Sequence, residues 1–234
     1  MEIIKGIEII DLALYIKKHK ALIISDLHIG YENYLTEQGV FVPKFQYKDV
    51  IRSLENIFRK VKPEIVIING DLKHEFGRIS RQEWNDVVKI IEFIEKFCKK
   101  IIIIKGNHDV ILGPIAKKKS IELIDYYLID DVLIAHGDEV LNIKSRTIII
   151  GHDHPAVLLK DKAKTEKFKC FLKGRYKKQT LIVQPSFNPL IEGSDVLKEK
   201  LLSHYLDQDI SNFELFIFDS KKRESLYFGK LRNI

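Results

Sequence analysis

Cysteine is nearly absent: Cys98 and Cys170 are the only two in 234 residues, and they stand far apart. That spacing excludes a disulfide framework and a thiolate metal knuckle, so two reduced thiols in a cytoplasmic protein are expected. No apolar run approaches the roughly 18 residues that a membrane-spanning helix requires, so no membrane partner is expected. The opening residues, MEIIKGIEII, lack the basic start, long apolar middle and small-residue cleavage site of a signal peptide. Linkers, internal repeats and low-complexity tracts are missing too, which leaves one domain spanning 1–234 as the expected organisation. With 45% hydrophobic and 31% charged residues the chain has the make-up of a globular protein and not of a disordered one.

Charge is present, and it is local. The net charge is +6, but nine Lys/Arg against two acids between Lys160 and Lys178 place +7 in that segment and leave −1 for the remainder. The segment, KDKAKTEKFKCFLKGRYKK, alternates Phe168, Cys170 and Leu172 with Lys167, Lys169 and Lys173, the period of a strand with one buried and one solvated face. Such a face is either ordinary solvated surface or a patch that tracks the phosphates of a polyanion. Nucleic acid is therefore a candidate partner through Lys160 to Lys178, without any motif that reads base sequence.

Short Ile/Val-rich runs recur at Ala21–Ser25, Ile65–Asn69, 101–105, Val132–Ala135, Thr147–Ile150 and 181–184. Continuous apolar runs of this length fit strands buried on both faces. Between the early runs lie patterns with a 3.6-residue period. The stretch 47–60 carries Val50, Ile51, Leu54, Ile57 and Phe58 on one stripe with Pro63 beyond its end, and 81–97 carries Trp84, Val87, Val88, Ile91, Ile94 and Phe97. The first half reads β-α-β-α-β. The second turns to strands, with hairpins expected at 168–175/180–184 and 213–218/225–228. The expected fold class is α/β, with sheets packed on one another and covered by helices.

Five of these runs end in oxygen or nitrogen donors. Asp26-Leu27-His28 follows the first, Gly70-Asp71 the second and Gly106-Asn107-His108-Asp109 the third; His136-Gly137-Asp138 and Gly151-His152-Asp153-His154 follow the next two. In extended backbone, residues i and i+2 point the same way, so His152 and His154 converge just beyond a strand end, as do Asp26 and His28. The carboxyl ends of strands are where sites assemble in α/β sheets. Gly70, Gly106 and Gly151 precede donors and let the backbone approach an ion closely. Each loop alone is also ordinary turn chemistry; five in register with five strands point to a shared site.

The order D-x-H, G-D, G-N-H-[DE], H, G-H-x-H resembles the signature of the calcineurin-like metallophosphoesterases. It is matched by Asp26/His28, Gly70/Asp71, Gly106 to Asp109, His136 and Gly151 to His154. More narrowly, SDLHIGYENYL and NGDLKHEF are similar to an archaeal group related to SbcD-type nucleases. The resemblance spans residues 21–154 and reaches the tail only by analogy. It implies a β-sandwich flanked by helices (αββα) and a two-metal centre. Asp26, His28 and His154 would hold the first ion, Asn107, His136 and His152 the second, and Asp71 would bridge them. A nitrogen and oxygen set without thiolate suits Mn²⁺, Fe, Zn²⁺ or Ni²⁺ better than Mg²⁺ or Ca²⁺, with Mn²⁺ the leading expectation. Such a pair activates water and clamps phosphoryl oxygens. His108 is implied as the acid that protonates the leaving group, oriented by Asp109, which is equally a helix N-cap candidate. Many members read G-D-x-x-D where this chain has His74 in the last position. The nuclease relatives share that histidine, so His74 is implied as a catalytic position that favours diesters, its alternative being a hydrogen-bonding role behind the ligands.

The activity implied is two-metal phosphodiester hydrolysis, with nucleic acid or a nucleotide as substrate. A phosphomonoesterase, a hydrolase of small cyclic or linear diesters, and a non-catalytic scaffold of the same fold are the alternatives; the intact ligands and His108 weigh against the last. Tyr31 and Phe76 follow ligand loops and are either rim packing or a surface on which a base stacks. Arg78, Arg81 and Asn188 are candidates to reach a phosphate, His19 and His204 are expected at the surface, and Trp84 belongs on a core stripe. The substrate contacts and the oligomeric state stay open.

Overall fold

Strands made wholly of Ile, Val and Leu need cover on both faces, and two sheets packed together with outer layers supply it. The computed structural model describes residues 1–234 apart from 76–78, 110, 111, 120, 162 and 163; Phe76, Arg78 and Lys162 thus lie outside the described residues. Among those described, the first sheet has seven strands in chain order. These are β1 (Glu2–Ile4), β2 (Ile7–Ile10), β3 (Ala13–Ile16), β4 (Ala21–Ser25), β5 (Ile65–Asn69), β6 (Lys100–Ile104) and β7 (Glu122–Ile124). β1 to β4 pair antiparallel, and β4 to β7 run parallel. The second sheet comprises β8 (Tyr126–Ile129), β9 (Val132–Ala135), β10 (Thr147–Ile150), β11 (Pro155–Asp161), β12 (Lys164–Tyr176), β13 (Gln179–Val183), β14 (Ser194–Asp195), β15 (Glu214–Asp219) and β16 (Glu224–Lys230). Here β9, β10 and β13 are parallel.

Side chains alternate between layers as a pleated strand requires. Ala21, Ile23, Ile67, Ile102 and Ile104 pack between the sheets against Ile134, Ile149, Phe171 and Ile182. Leu22, Ile24, Val66, Ile68 and Ile103 face outward onto α2 (Gln46–Lys60) and α3 (Arg81–Ile94), meeting Val50, Leu54, Ile57, Val87 and Ile91. Trp84 is half-buried against this layer. The outer face of the second sheet, with Leu133, Ile148, Leu181 and Val183, is closed by Tyr205, Leu206 and Phe213 around a 3-10 turn (His204–Leu206). No helix among the described residues is long and apolar enough to cross a membrane.

α3 begins with a capping box: Ser80 Oγ accepts from the Glu83 N–H at 3.1 Å, and the Glu83 carboxylate accepts from the Ser80 N–H at 3.3 Å. The stripe expected over 81–97 is helical only to Ile94, and Phe97 leaves it to stack on Phe58 at 4.7 Å. β1 to β3, β7, β8, β11, β14 and two short helices, α1 (Tyr31–Glu37) and α4 (Gly113–Lys119), had no expectation attached.

The hairpin of β12 and β13 forms where expected, but its lysine face is only partly solvated. Lys167, Lys169, Phe171 and Lys173 share one parity, and Phe171 on that face lies in the inter-sheet core. Lys169 is half-buried, its Nζ donating to the carbonyls of Ser186 (2.8 Å) and Asn188. Lys173 donates to the Ile3 carbonyl at 3.3 Å and pairs with Glu214 at 2.7 Å; Lys167 donates to the Gly193 carbonyl at 3.0 Å. The period was right and Cys170 and Leu172 are buried as expected, but the lysine side is half-covered too, because the first sheet meets Phe171 and Lys173 and the chain beyond β13 takes up Lys167 and Lys169. The segment is also divided in space. Leu172 pairs with Val183, the last residue of β13, so β12 before Leu172 runs past the carboxyl edge of the sheet. Lys177 and Lys178 turn at the opposite edge.

Replacing Phe171 by Ala should leave a cavity between the sheets and cost about 3–5 kcal/mol. Urea unfolding should show a lower midpoint at an unchanged slope; an unchanged midpoint would contradict the packing described.

Candidate metal centre

Parallel strands point their carboxyl ends the same way. Loops after β4, β5 and β6 therefore gather on one edge of the first sheet, and those after β9 and β10 meet them from the second. Asp26 Oδ1 lies 3.4 Å from His136 Nδ1 and 3.7 Å from His154 Nε2. His28 Nε2 and His154 Nε2 face each other at 3.2 Å. His136 Nε2 stands 3.0 Å from both His152 Nδ1 and Asn107 Oδ1. Two groups able to hold a metal result, one of Asp26, His28 and His154 and one of Asp71, His136 and His152. Asp71 Oδ2 is 3.5 Å from His28 Nε2 and 3.5 Å from His136 Nε2, between the two groups. All seven residues expected as ligands are brought together.

The backbone is bent hard to achieve this. Asp26, His28, Asp71, His152 and His154 all have left-handed φ, between 39° and 67°, half of the non-glycine residues that do among those described. Such conformations cost of order 1–3 kcal/mol each and persist where the surroundings impose them. Glycine makes room at the closest approaches. A Cβ at Gly106 would strike the Asp71 carboxylate, and one at Gly151 would strike Asp26 and Ser25.

Burial would raise the pKa of both carboxyls. At Asp26 the facing His154, His136 and His28 reverse this and hold the group below the usual carboxylate range. Asp71 faces the carboxylates of Asp26 and Asp109 as well as being buried, and is pushed up despite the His108 N–H donated to it at 3.0 Å. Burial drives His28 well below the usual imidazole range and His136 down to about 4. Asp26 Oδ1 and His136 Nδ1 are buried with no hydrogen-bond partner among the described residues. Imidazole nitrogens and carboxylate oxygens that converge in this way, two of them with no hydrogen-bond partner, fit a divalent cation.

His108, His74 and Asp109 depart from the expected arrangement in one respect. Asp109 does not hold His108; its carboxylate accepts from the N–H groups of Leu72 (3.2 Å), Lys73 (3.3 Å) and Gly106 (3.1 Å), tying the third ligand loop to the second. Its pKa is raised to about 6 by burial, against those same N–H groups. The Nδ1–H of His108 donates instead to the His74 carbonyl, which turns Nε2 toward Asp71 Oδ2 at 3.9 Å. The His74 ring stands behind His28, with Nδ1 3.3 Å from His28 Nδ1. His28, His74 and His108 form a third group of close donor atoms.

Residues outside the signature hold these loops by their main chains. Gln46 accepts from the Gly30 N–H at 3.1 Å and donates to the His28 carbonyl at 2.8 Å. Asn188 does not reach for phosphate; its Nδ2 donates to the His28 carbonyl at 3.3 Å, and Ser186 Oγ donates to the Asp26 carbonyl at 2.7 Å. Glu83 accepts from the His74 and Glu75 N–H groups at 2.9 and 3.1 Å. The one available sequence signal was the Ser80 to Glu83 capping spacing; the others come from distant stretches with no motif. His19 and His204 pair with Asp130 and Asp207, each at 2.7 Å, away from the site, and Arg81 is exposed.

Two outcomes follow from this geometry. Gly106→Ala should lower bound metal at least tenfold by elemental analysis while circular dichroism stays unchanged; full metal content would show that the close approach to Asp71 is dispensable. A raised Asp71 pKa means a metal must displace its proton, so affinity should climb with pH from neutrality upward. Calorimetry of Mn²⁺ binding at pH 7 in buffers of different ionisation enthalpy should report about one proton released; no release would mean Asp71 is already ionised.

Three comparisons bear on kinship. Residues 19–218 match the calcineurin-like phosphoesterase family. The nuclease MPE of Pseudomonas putida has a similar structure, with TM-score 0.66 and 19% identity over 93% of this chain and 92% of that one. The phosphoesterase Yfce of E. coli aligns at TM-score 0.45 and 13% identity over 90% of this chain and 98% of its own. Among curated proteins none matches by sequence. With the family match covering most of the residues and both donor groups lying within it, this chain belongs to the calcineurin-like phosphoesterases.

Proposed function

We propose that this protein hydrolyses phosphodiesters at a two-metal centre, with Mn²⁺ the first candidate ion and nucleic acid or a nucleotide the substrate. The observation that carries the reading is the position of Asp71 Oδ2, equidistant from His28 and His136, with His108 Nε2 beside it. Asp26, His28 and His154 would hold one ion, Asn107, His136 and His152 the other, with Asp71 shared. When bound, the ions would lower the pKa of water and neutralise phosphoryl charge. Because the His74 carbonyl occupies Nδ1–H of His108, only Nε2 is left to exchange a proton, and it faces the centre. To act as the acid, His108 would have to carry a second proton at Nε2, against the burial that lowers its pKa, and give it to the departing oxygen, leaving the neutral Nδ1–H imidazole.

His74 in place of the commoner aspartate supports a diester, and the nuclease activity in the name of the P. putida protein is carried here as part of the proposal. The exposed Lys160 and Lys164 lie on the hairpin that passes the carboxyl edge, where a polyanion would approach. A second reading, hydrolysis of a small diester or a monoester, is favoured by the inward engagement of Lys167, Lys169 and Lys173.

Metal-stripped protein reloaded with Mn²⁺, Mg²⁺, Zn²⁺, Ni²⁺ or Fe²⁺ should be assayed on an aryl diester, an aryl monoester, single- and double-stranded DNA and cyclic nucleotides. Diester turnover above monoester turnover is expected, and the reverse order would overturn the diester assignment. His108→Ala should keep its metal but lose about 10²–10⁴-fold in rate, less for acidic leaving groups that need no proton. An emptied metal site in that variant would make His108 a ligand instead.

A further inference from the structure

We infer that Tyr31 and Tyr34 form an aromatic subsite that stacks a base of the substrate beside the metal centre, an inference that rests on the phosphodiester reading above. The two residues are three apart on α1 and so share one face of it. Their rings lie 6.2 Å apart and 20° from parallel. Each meets the His74 ring at 4.8 Å, at 78° for Tyr31 and 63° for Tyr34. His74 in turn lies 5.4 Å from the His108 ring, 25° from parallel, and 5.3 Å from that of His28. The tyrosines are thus one ring beyond both a metal ligand and the proposed proton donor. That is the side on which the leaving portion of a diester departs.

The mounting is more elaborate than rim packing needs. A seven-residue helix does not hold its shape on its own. This one is fastened by the buried Glu32, whose Oε2 accepts from the N–H groups of Phe45 and Gln46, each at 3.0 Å. Gln46 then joins the Gly30 N–H, just before α1, to the His28 carbonyl. The tyrosine rings are therefore fixed relative to the ligand loop itself. Yet Tyr34 remains 40% exposed and Tyr31 only half-buried, so ring surface is left over. Fixed, partly exposed aromatic rings within reach of a phosphate centre are how proteins bind single strands without reading sequence, since every base has a π-face. A flat ring, a base in a nucleotide or oligonucleotide, is the chemistry that fits.

The test uses the full chain carrying His108→Ala and loaded with Mn²⁺, so that strands are not cut. Fluorescence anisotropy compares a labelled thymidine octamer with an abasic octamer of equal charge. The thymidine strand should bind about 5- to 150-fold more tightly, as one stacked base contributes. With Tyr31→Ala and Tyr34→Ala added, that preference should fall to near one while metal content and the abasic affinity stay unchanged. Tyr31→Phe and Tyr34→Phe should retain it. The inference fails if the alanine pair keeps the preference, or if the parent protein shows none or binds neither strand. Should the alanine pair not fold, Tyr34→Ala alone decides, by at least halving the preference or leaving it intact. Absence of aryl-diester cleavage by Mn²⁺-loaded wild-type protein is a separate result, which sinks the underlying reading; cleavage without base preference sinks only the subsite.

Discussion

Two carboxylates, Asp26 and Asp71, are buried at one point between two sheets, and the surrounding architecture answers to that constraint. Taking a carboxylate out of water is expensive, and a second nearby adds repulsion. The site answers the first charge with imidazoles, which favour ionised Asp26, while Asp71 is pushed toward its protonated form. A divalent cation bound by these donors would relieve both difficulties at once. The left-handed ligand residues and the bare Cα of Gly106 and Gly151 have the same origin. They bring donors closer than ordinary strand-end turns would, and the strain survives because the cores beneath α2 and between the sheets hold the strands in place.

Much of this was legible because each part is local in the chain. A run such as Thr147–Ile150 is too apolar to have a wet face, and the donors follow within four residues, so strand and ligand are read together. Ala21–Ser25 and Ile65–Asn69 were bounded correctly for the same reason, since an abrupt change to Asp or Gly marks the end of burial. What escaped depends on partners far away in sequence. β1 to β3 are short, and only their pairing with β4 makes them strands. The face of β12 was misjudged because period two shows that faces differ, not what lies opposite each. Lysine was taken as the mark of solvent, whereas Lys169 ends in a nest of carbonyls and Phe171, two residues on, is core.

The Asp109 side chain shows the limit of reasoning by motif. The resemblance implied a carboxylate steadying His108, and the carboxylate is present but bound to three backbone N–H groups. The steadying acceptor is a backbone carbonyl, that of His74, and no side-chain pattern can announce it. His74 therefore has two separable parts. Its carbonyl selects the tautomer of His108 whatever the side chain is, while its ring fills the space between His28 and the tyrosines.

A common logic links these supports. Gln46, Glu83, Ser186, Asn188 and Asp109 all address the main chain of the ligand loops, and Lys169 holds the carbonyls of the loop that carries two of them. Gripping the backbone fixes where each donor side chain starts while leaving Asp26 Oδ1 and His136 Nδ1 without a competing hydrogen bond among the described residues. Supports bonded to the imidazoles and carboxylates themselves would compete with a cation for their lone pairs. Burial of the supports follows, because a polar side chain fixes a loop firmly only where water does not compete for it. The same grip extends through Glu32 and Gln46 to α1, so that the rim is tied to the loop that carries Asp26 and His28. Position at the rim is therefore set by the loop after β4, and one chain of hydrogen bonds links the candidate metal centre to the aromatic edge.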